Sequence, residues 1–148
     1  MNQVVVKQEK SGYQIVEAYK SLRTNLQFCG EDKKVIAITS CTPNEGKSSV
    51  SMQLGISLAE IGKRVILIDA DLRKSVLLGR TKTEKSVRGL AHFLSGQASL
   101  EDVICATNIK NFYMIYSGPF PPNPAELLGS RQFKDMIRVV RDVYDYII

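Results

Sequence analysis

Apolar residues recur along this chain in two distinct rhythms. Ile15, Tyr19, Leu22 and Leu26 follow one another at four-three-four spacing, which predicts a helix over 11–28 with one apolar face. Glu17, Lys20 and Thr24 fall on its other side, and Ser11 followed three residues on by Gln14 predicts a capping box at its start. Residues 1–10 mix valine with lysine and glutamine and read as an extended arm, while Gly30-Glu31-Asp32-Lys33 reads as a turn.

The second rhythm is unbroken apolarity. Residues 35–39 (Val-Ile-Ala-Ile-Thr) and 65–68 (Val-Ile-Leu-Ile) are short, largely β-branched blocks, the pattern of strands buried on both faces of a parallel sheet. Between them a helix is predicted over 46–61, with Val50, Leu54, Leu58 and Ile61 inward and Gly62 ending it. Strand, helix and strand make one right-handed βαβ unit. Further on, helical turns are expected near 76–78 and 89–94, a helix capped by Ser99, and a strand over 112–116. Residues 118–124 are expected to be irregular, because Pro119, Pro121, Pro122 and Pro124 remove donors and fix φ. Pro124 suits the first turn of a following helix. Phe133, Ile137, Val140 and Tyr144 mark another amphipathic helix, and residues 146–148 begin a further buried strand. A core strand at a chain end predicts that the sequence is cut short, since ends usually lie at the surface.

Composition narrows the function classes. The 148 residues, 44% hydrophobic and 24% charged, suit one globular domain that buries about two-thirds of its unfolded surface. No apolar run nears the ~18–20 residues of a membrane span, and the N-terminus lacks the basic start and long apolar stretch of a signal peptide. Cys29, Cys41 and Cys105 form no C-x-x-C pair and read as reduced thiols of a cytoplasm. A single histidine, His92, argues against a His-based metal centre. The net charge of +5 is interleaved with acids, so it reads as solubility charge with no specific nucleic-acid footprint.

Chemistry concentrates at two loops. Cys41-Thr42-Pro43-Asn44-Glu45-Gly46-Lys47-Ser48 carries the end of the pattern G-x-x-x-x-G-K-[ST], with Cys41 in place of the first glycine. Opening a helix directly after an apolar strand, it sits where backbone amides and the positive helix end can cradle phosphate. Lys47 would reach the β- and γ-phosphates and the Ser48 hydroxyl would bind Mg²⁺. Asp69 and Asp71 leave the carboxyl end of the second strand, the edge at which open α/β sheets bind ligands. One or two carboxylates suit a hydrated Mg²⁺ beside a triphosphate, and one near the γ-phosphate could accept a hydroxyl proton. The competing reading is a solvated aspartate pair capping a turn.

Together these segments resemble the bacterial tyrosine kinases of capsule and exopolysaccharide operons. Thr42 through Ser49 is similar to their Walker A motif and residues 66–74 (Ile-Leu-Ile-Asp-Ala-Asp-Leu-Arg-Lys) to Walker A′. Residues 17–25 resemble their self-association helix, and 118–128 another family segment. The resemblance implies an α/β fold: a doubly wound, mostly parallel sheet of the P-loop NTPase type in three layers, with its C-terminal part missing. It implies one domain over 1–148, with a nucleotide-binding core over 34–148. It also implies an autophosphorylating ATP-dependent protein-tyrosine kinase using ATP and Mg²⁺. Thr42, Pro43, Asn44, Glu45, Gly46, Lys47, Ser48 and Ser49 would bind the nucleotide, with Ser49 at the α-phosphate. Lys47, Asp69 and Asp71 would be catalytic, and Ser48, Asp69 and Asp71 would serve the metal. Asp69 would lie nearest the incoming tyrosine hydroxyl.

Glu17, Lys20 and Arg23 would mediate ring-like self-association, with Lys20 standing where the family pattern has its first arginine. The alternative for this stretch is an ordinary amphipathic helix packed on its own sheet. The family's Walker B strand would begin at 146–148 without its aspartate, and its C-terminal tyrosine cluster is absent from these residues. Expected partners are tyrosine-containing protein substrates and a membrane adaptor with an activating cytoplasmic tail. The expected location is the cytoplasm, at the inner membrane face. Two rivals share the fold. A partitioning or septum-site type ATPase would carry a further lysine where Ser40, Cys41 and Thr42 stand. A catalytically incomplete nucleotide-binding interaction module would not.

Overall fold

A computed structural model describes residues 1–8, 10–83 and 86–148. The first half runs β1 (Asn2–Val6), α1 (Tyr13–Phe28), α2 (Lys47–Glu60), β2 (Val65–Ile68), a 3-10 turn (Leu78–Arg80) and β3 (Thr81–Lys82). There follow α3 (Leu90–Leu94), α4 (Leu100–Val103), β4 (Ile104–Thr107), β5 (Phe112–Ile115), α5 (Pro124–Gly129), α6 (Arg131–Val143) and β6 (Tyr146–Ile147). The strands form one sheet in the order β3-β1-β4-β5-β2-β6. β1 with β4, β2 with β5 and β2 with β6 are parallel; β1 with β3 and β4 with β5 are antiparallel. The sheet is therefore mixed, with parallel pairing on both sides of β2.

Its two faces explain the unbroken apolarity of β2. Val65 and Leu67 enter one core with Leu54 and Leu58 of α2, while Ile66 and Ile68 enter another with α3 and α6. Successive side chains of a strand point to opposite faces, so a strand covered on both must be apolar throughout. β5 divides likewise: Phe112 and Met114 face α2, and Ile115 the other side. These are the three layers of the doubly wound α/β fold. Gly55 lets α2 lie close to the sheet, because a Cβ there would fall 2.5 Å from the Phe112 ring. Ser99 caps α4 as expected, accepting from the Asp102 amide at 3.3 Å. Pro124 occupies the first turn of α5.

Five local expectations are corrected. Ile61, expected inward on the helix, lies just past the end of α2 and is 38% exposed. Residues 35–39 are not a strand buried on both faces: only Val35 pairs, through a parallel bridge to Ile147, and it is 46% exposed. The run lies at the sheet edge beyond β6 and alternates: Ile36 and Ile38 pack on the core while Val35, Ala37 and Thr39 are exposed, so only one of its faces is covered. The capping box at Ser11 and Gln14 does not form, because α1 begins later, at Tyr13, with Gly12 as its cap and no side-chain bond. The inward face of α1 is Tyr19, Arg23 and Leu26, whereas Ile15 is 52% exposed and Leu22 38%. The arm is a sheet strand over Asn2–Val6 with Val4 and Val6 buried; Glu9, also in that expected arm, lies outside the described residues.

Candidate phosphate-binding site

The loop between the edge run and α2 is shaped by two left-handed residues, Asn44 at φ 63° and Gly46 at φ 92°. Asparagine tolerates that region and glycine enters it freely, so the loop takes up two left-handed residues within three positions. α2 then starts at Lys47, and its first-turn amides, which have no acceptor within the helix, point into the loop. Val50 closes the turn by donating to the Gly46 carbonyl at 2.9 Å. Positive helix end and inward amides make a concavity suited to an anion.

Side chains complete it. The Lys47 ammonium donates to Ser40 Oγ at 2.8 Å, and Ser40 in turn donates to the Thr42 carbonyl at 2.9 Å, so the lysine lies folded over the loop. Thr42 Oγ1 donates to the Glu45 carboxylate at 2.5 Å and holds that carboxyl below its ordinary range. Opposite, Asp69 continues from β2, its amide donating to the Ile115 carbonyl at 2.8 Å. The residue is 6% exposed, and its carboxylate accepts from the Ser75 hydroxyl and, at 3.2 Å, from the Asp71 amide. Burial pushes the Asp69 carboxyl above its ordinary value, against those two hydrogen bonds. Asp71 accepts from the amides of Arg73 (3.2 Å) and Lys74 (3.0 Å), so it does cap a turn while remaining exposed at the cavity.

An open cavity of about 860 Å³ joins both walls. Thr42, Pro43, Lys47 and Ser48 line it from one side and Asp69 and Asp71 from the other. Asn44, Glu45, Gly46 and Ser49 belong to the same loop and helix start but do not line the cavity. Glu17, Lys20 and Arg23 lie apart from it on α1. Arg23 turns inward, donating to the Ser57 carbonyl at 2.8 Å and approaching Glu60 at 3.6 Å, while Lys20 pairs with Glu17 at 2.8 Å on the exposed side. Sequence reasoning missed Ser40 and Ser75, the hydroxyls that hold Lys47 and Asp69. A serine seven or six residues from its partner carries no periodic signal. Among the described residues no helix is long and apolar enough to cross a membrane.

A family profile described as "AAA domain" matches residues 33–148. The tyrosine-protein kinase CpsD of Streptococcus agalactiae is 45% identical over 132 residues, covering 89% of this chain and 58% of the relative. Among solved structures, the BceF tyrosine kinase domain superposes with a TM-score of 0.80 at 40% identity, over 89% of this chain and 53% of that one. The septum site-determining protein MinD of Pyrococcus horikoshii, solved with Mg-ADP, reaches 0.63 at 29% identity over 77% of this chain and 46% of that one. The chain thus spans a little over half the length of these two kinases.

Proposed function

The chain belongs to the AAA-domain family of P-loop proteins, in its bacterial tyrosine-kinase branch, and from that membership we propose that it is the nucleotide-binding part of an ATP-dependent, autophosphorylating protein-tyrosine kinase. The observation that carries the reading is Lys47 and Ser48 facing Asp69 and Asp71 across one cavity at the carboxyl edge of β2. The donor set fits Mg·ATP: amides and an ammonium for phosphate, and a hydroxyl with two carboxylates for a hard cation. When bound, that group supplies the transferable phosphoryl and neutralises charge developing on it.

The first-turn amides of α2 would hold phosphate oxygens, and Gly46 would let the backbone approach them. Lys47, which here donates to Ser40, would turn to the terminal phosphates and neutralise their charge. Ser48 would offer its hydroxyl oxygen to the metal, Asp71 would help to hold it, and Asp69 would serve both metal and substrate. Fixed by Ser75 and by its own strand, Asp69 receives or orients the proton of a tyrosine hydroxyl. Catalysis then consists of positioning and electrostatic stabilisation, as phosphoryl transfer requires.

The wider reading follows the relatives: a role in capsular or exopolysaccharide synthesis, tyrosine-containing protein substrates, and action in the cytoplasm at a membrane adaptor. Self-association through α1 belongs to it as well. There Glu17 and Lys20 supply the exposed charges, and Arg23 keeps the helix on α2.

The test is calorimetry with Mg·ATP. Lys47→Met should abolish binding, and unchanged affinity would sink the assignment. Asp69→Asn in a longer form of the chain carrying substrate tyrosines should bind Mg·ATP yet form no phosphotyrosine. Undiminished phosphotyrosine would remove Asp69 from the transfer step. Binding with no transfer in the unaltered longer form would favour the septum-site type ATPase or the catalytically silent module.

A further inference from the structure

Ser49 stands one residue beyond the cavity-lining Lys47 and Ser48, and on a helix that step turns it about 100° away from the cavity. Its hydroxyl accepts a hydrogen bond of 2.7 Å from Nη1 of Arg80. Arg80 ends the 3-10 turn, and its main chain is tied on both sides: its amide donates to the Leu77 carbonyl at 3.0 Å, and its carbonyl accepts from the Lys7 amide at 3.3 Å. The next residue, Thr81, is paired with Val6 in the antiparallel β1–β3 ladder. A guanidinium thus reaches the helix end that receives phosphate, from a backbone anchored to the N-terminal strand.

We propose that Arg80 is a nucleotide-binding residue which, together with Ser49, holds the phosphate next to the ribose. The inference rests on the nucleotide reading given above. Phosphates undergoing transfer belong in the cavity, between Lys47 and Asp69. The nucleoside end must therefore leave on the side away from Asp69, past Ser49. Because the Ser49 oxygen accepts from Arg80, its own O–H remains available to donate to a phosphate oxygen. The guanidinium has further N–H groups and a permanent charge for the same anion, and it adds to the positive end of α2. Arg80 was absent from every motif in the sequence, since it follows Lys47 by more than thirty residues and reaches the loop only through β1 and β3.

Calorimetric titration with Mg·ADP tests this on the unaltered chain, Arg80→Ala, Arg80→Lys, Ser49→Ala and the double alanine variant, with melting temperatures of the nucleotide-free proteins alongside. The expected result is about tenfold weaker binding for Arg80→Ala, the usual worth of a charge-assisted contact, with partial recovery in Arg80→Lys. The double variant should lose less than the two single losses multiplied, because the residues act as one contact. Melting temperatures without nucleotide should agree among the variants, since Arg80 is exposed. Binding by Arg80→Ala within twofold of the unaltered chain overturns the inference. So does a loss that comes with a lower melting temperature and no recovery in Arg80→Lys, which marks a structural role. If the unaltered chain binds no Mg·ADP, the nucleotide reading itself fails and this inference with it.

Discussion

The two walls of the cavity are built in opposite ways. Asp69 follows a strand that pairs on both sides, with β5 and with β6, and whose four residues are all buried. The phosphate loop follows a run that pairs through one bridge at the sheet edge and leaves Val35 half exposed. The carboxylate is therefore positioned by the core, while the loop is positioned by its own backbone, through Asn44, Gly46 and the start of α2. Position by packing is vulnerable to core damage. Position by local geometry is vulnerable at single left-handed residues and indifferent to its neighbours' side chains.

Truncating one residue in each wall should break the symmetry most strongly. Leu67→Ala, in a side chain 2% exposed between α2 and β5, should cost about 3 kcal/mol of a total near ~5–15, through lost burial and a cavity. Val35→Ala should cost less than about 1 kcal/mol, because nearly half of that residue is already in water. Urea unfolding of both variants checks this. Equal losses would mean that the edge run is held as firmly as β2.

High pH should strain the buried side next. Burial pushes the Cys105 thiol of β4 from 9.0 up to about 11. The Tyr116 phenol, donating to Thr81 Oγ1 at 2.7 Å, is pushed to about 12, again chiefly by burial. In both cases the folded chain holds a proton that the unfolded chain releases at lower pH. Stability is then unaffected below about pH 9 and falls as pH rises through the window from 9.0 to about 11 set by Cys105. Cys105→Ala should flatten that part of the curve, measured by denaturant unfolding at successive pH values. A slope that Cys105→Ala leaves unaltered between those limits would mean that another group governs it.

What the sequence disclosed follows the same division. β2, α2 and α6 were legible because burial marks each one: unbroken apolarity in a strand covered on both faces, and a helical spacing of apolar residues in the two helices. The loop before α2 was legible because a glycine, Gly46, stands where the backbone turns left-handed, directly before Lys47 and Ser48 open the helix. The run 35–39 misled for the converse reason: its apolarity states what it could bury, and only the topology states what lies beside it. β4 was missed because its four residues follow directly on α4 and return through Asn111, at φ 65°, into the β5 hairpin, with no glycine to announce the turn. In α1, Arg23 replaced an expected apolar contact, since its bonds to Ser57 and approach to Glu60 let a charged side chain face a helix. Ser40, Ser75 and Arg80 remained invisible, because nothing in their own neighbourhood requires them to be polar.

The finest test of the comparison uses the three thiols. Cys41 opens the phosphate loop and is exposed, Cys29 is exposed just beyond α1, and Cys105 is buried. At pH 8 a disulfide reagent should label Cys29 and Cys41 and spare Cys105, whose thiol is both covered and pushed up to about 11. Saturating Mg·ADP should then slow Cys41 by a few-fold, because phosphate held by the first turn of α2 draws the loop closed beside it. Cys29 lies outside that loop and should react at the same rate, which makes it an internal control within one molecule. Mass spectrometry of the labelled chain separates the two sites. Equal slowing at both would report a global tightening, and the loop could no longer be regarded as a unit that responds on its own. Slowing confined to Cys41 would show that the locally built wall responds to its ligand on its own, apart from the helix end that carries Cys29.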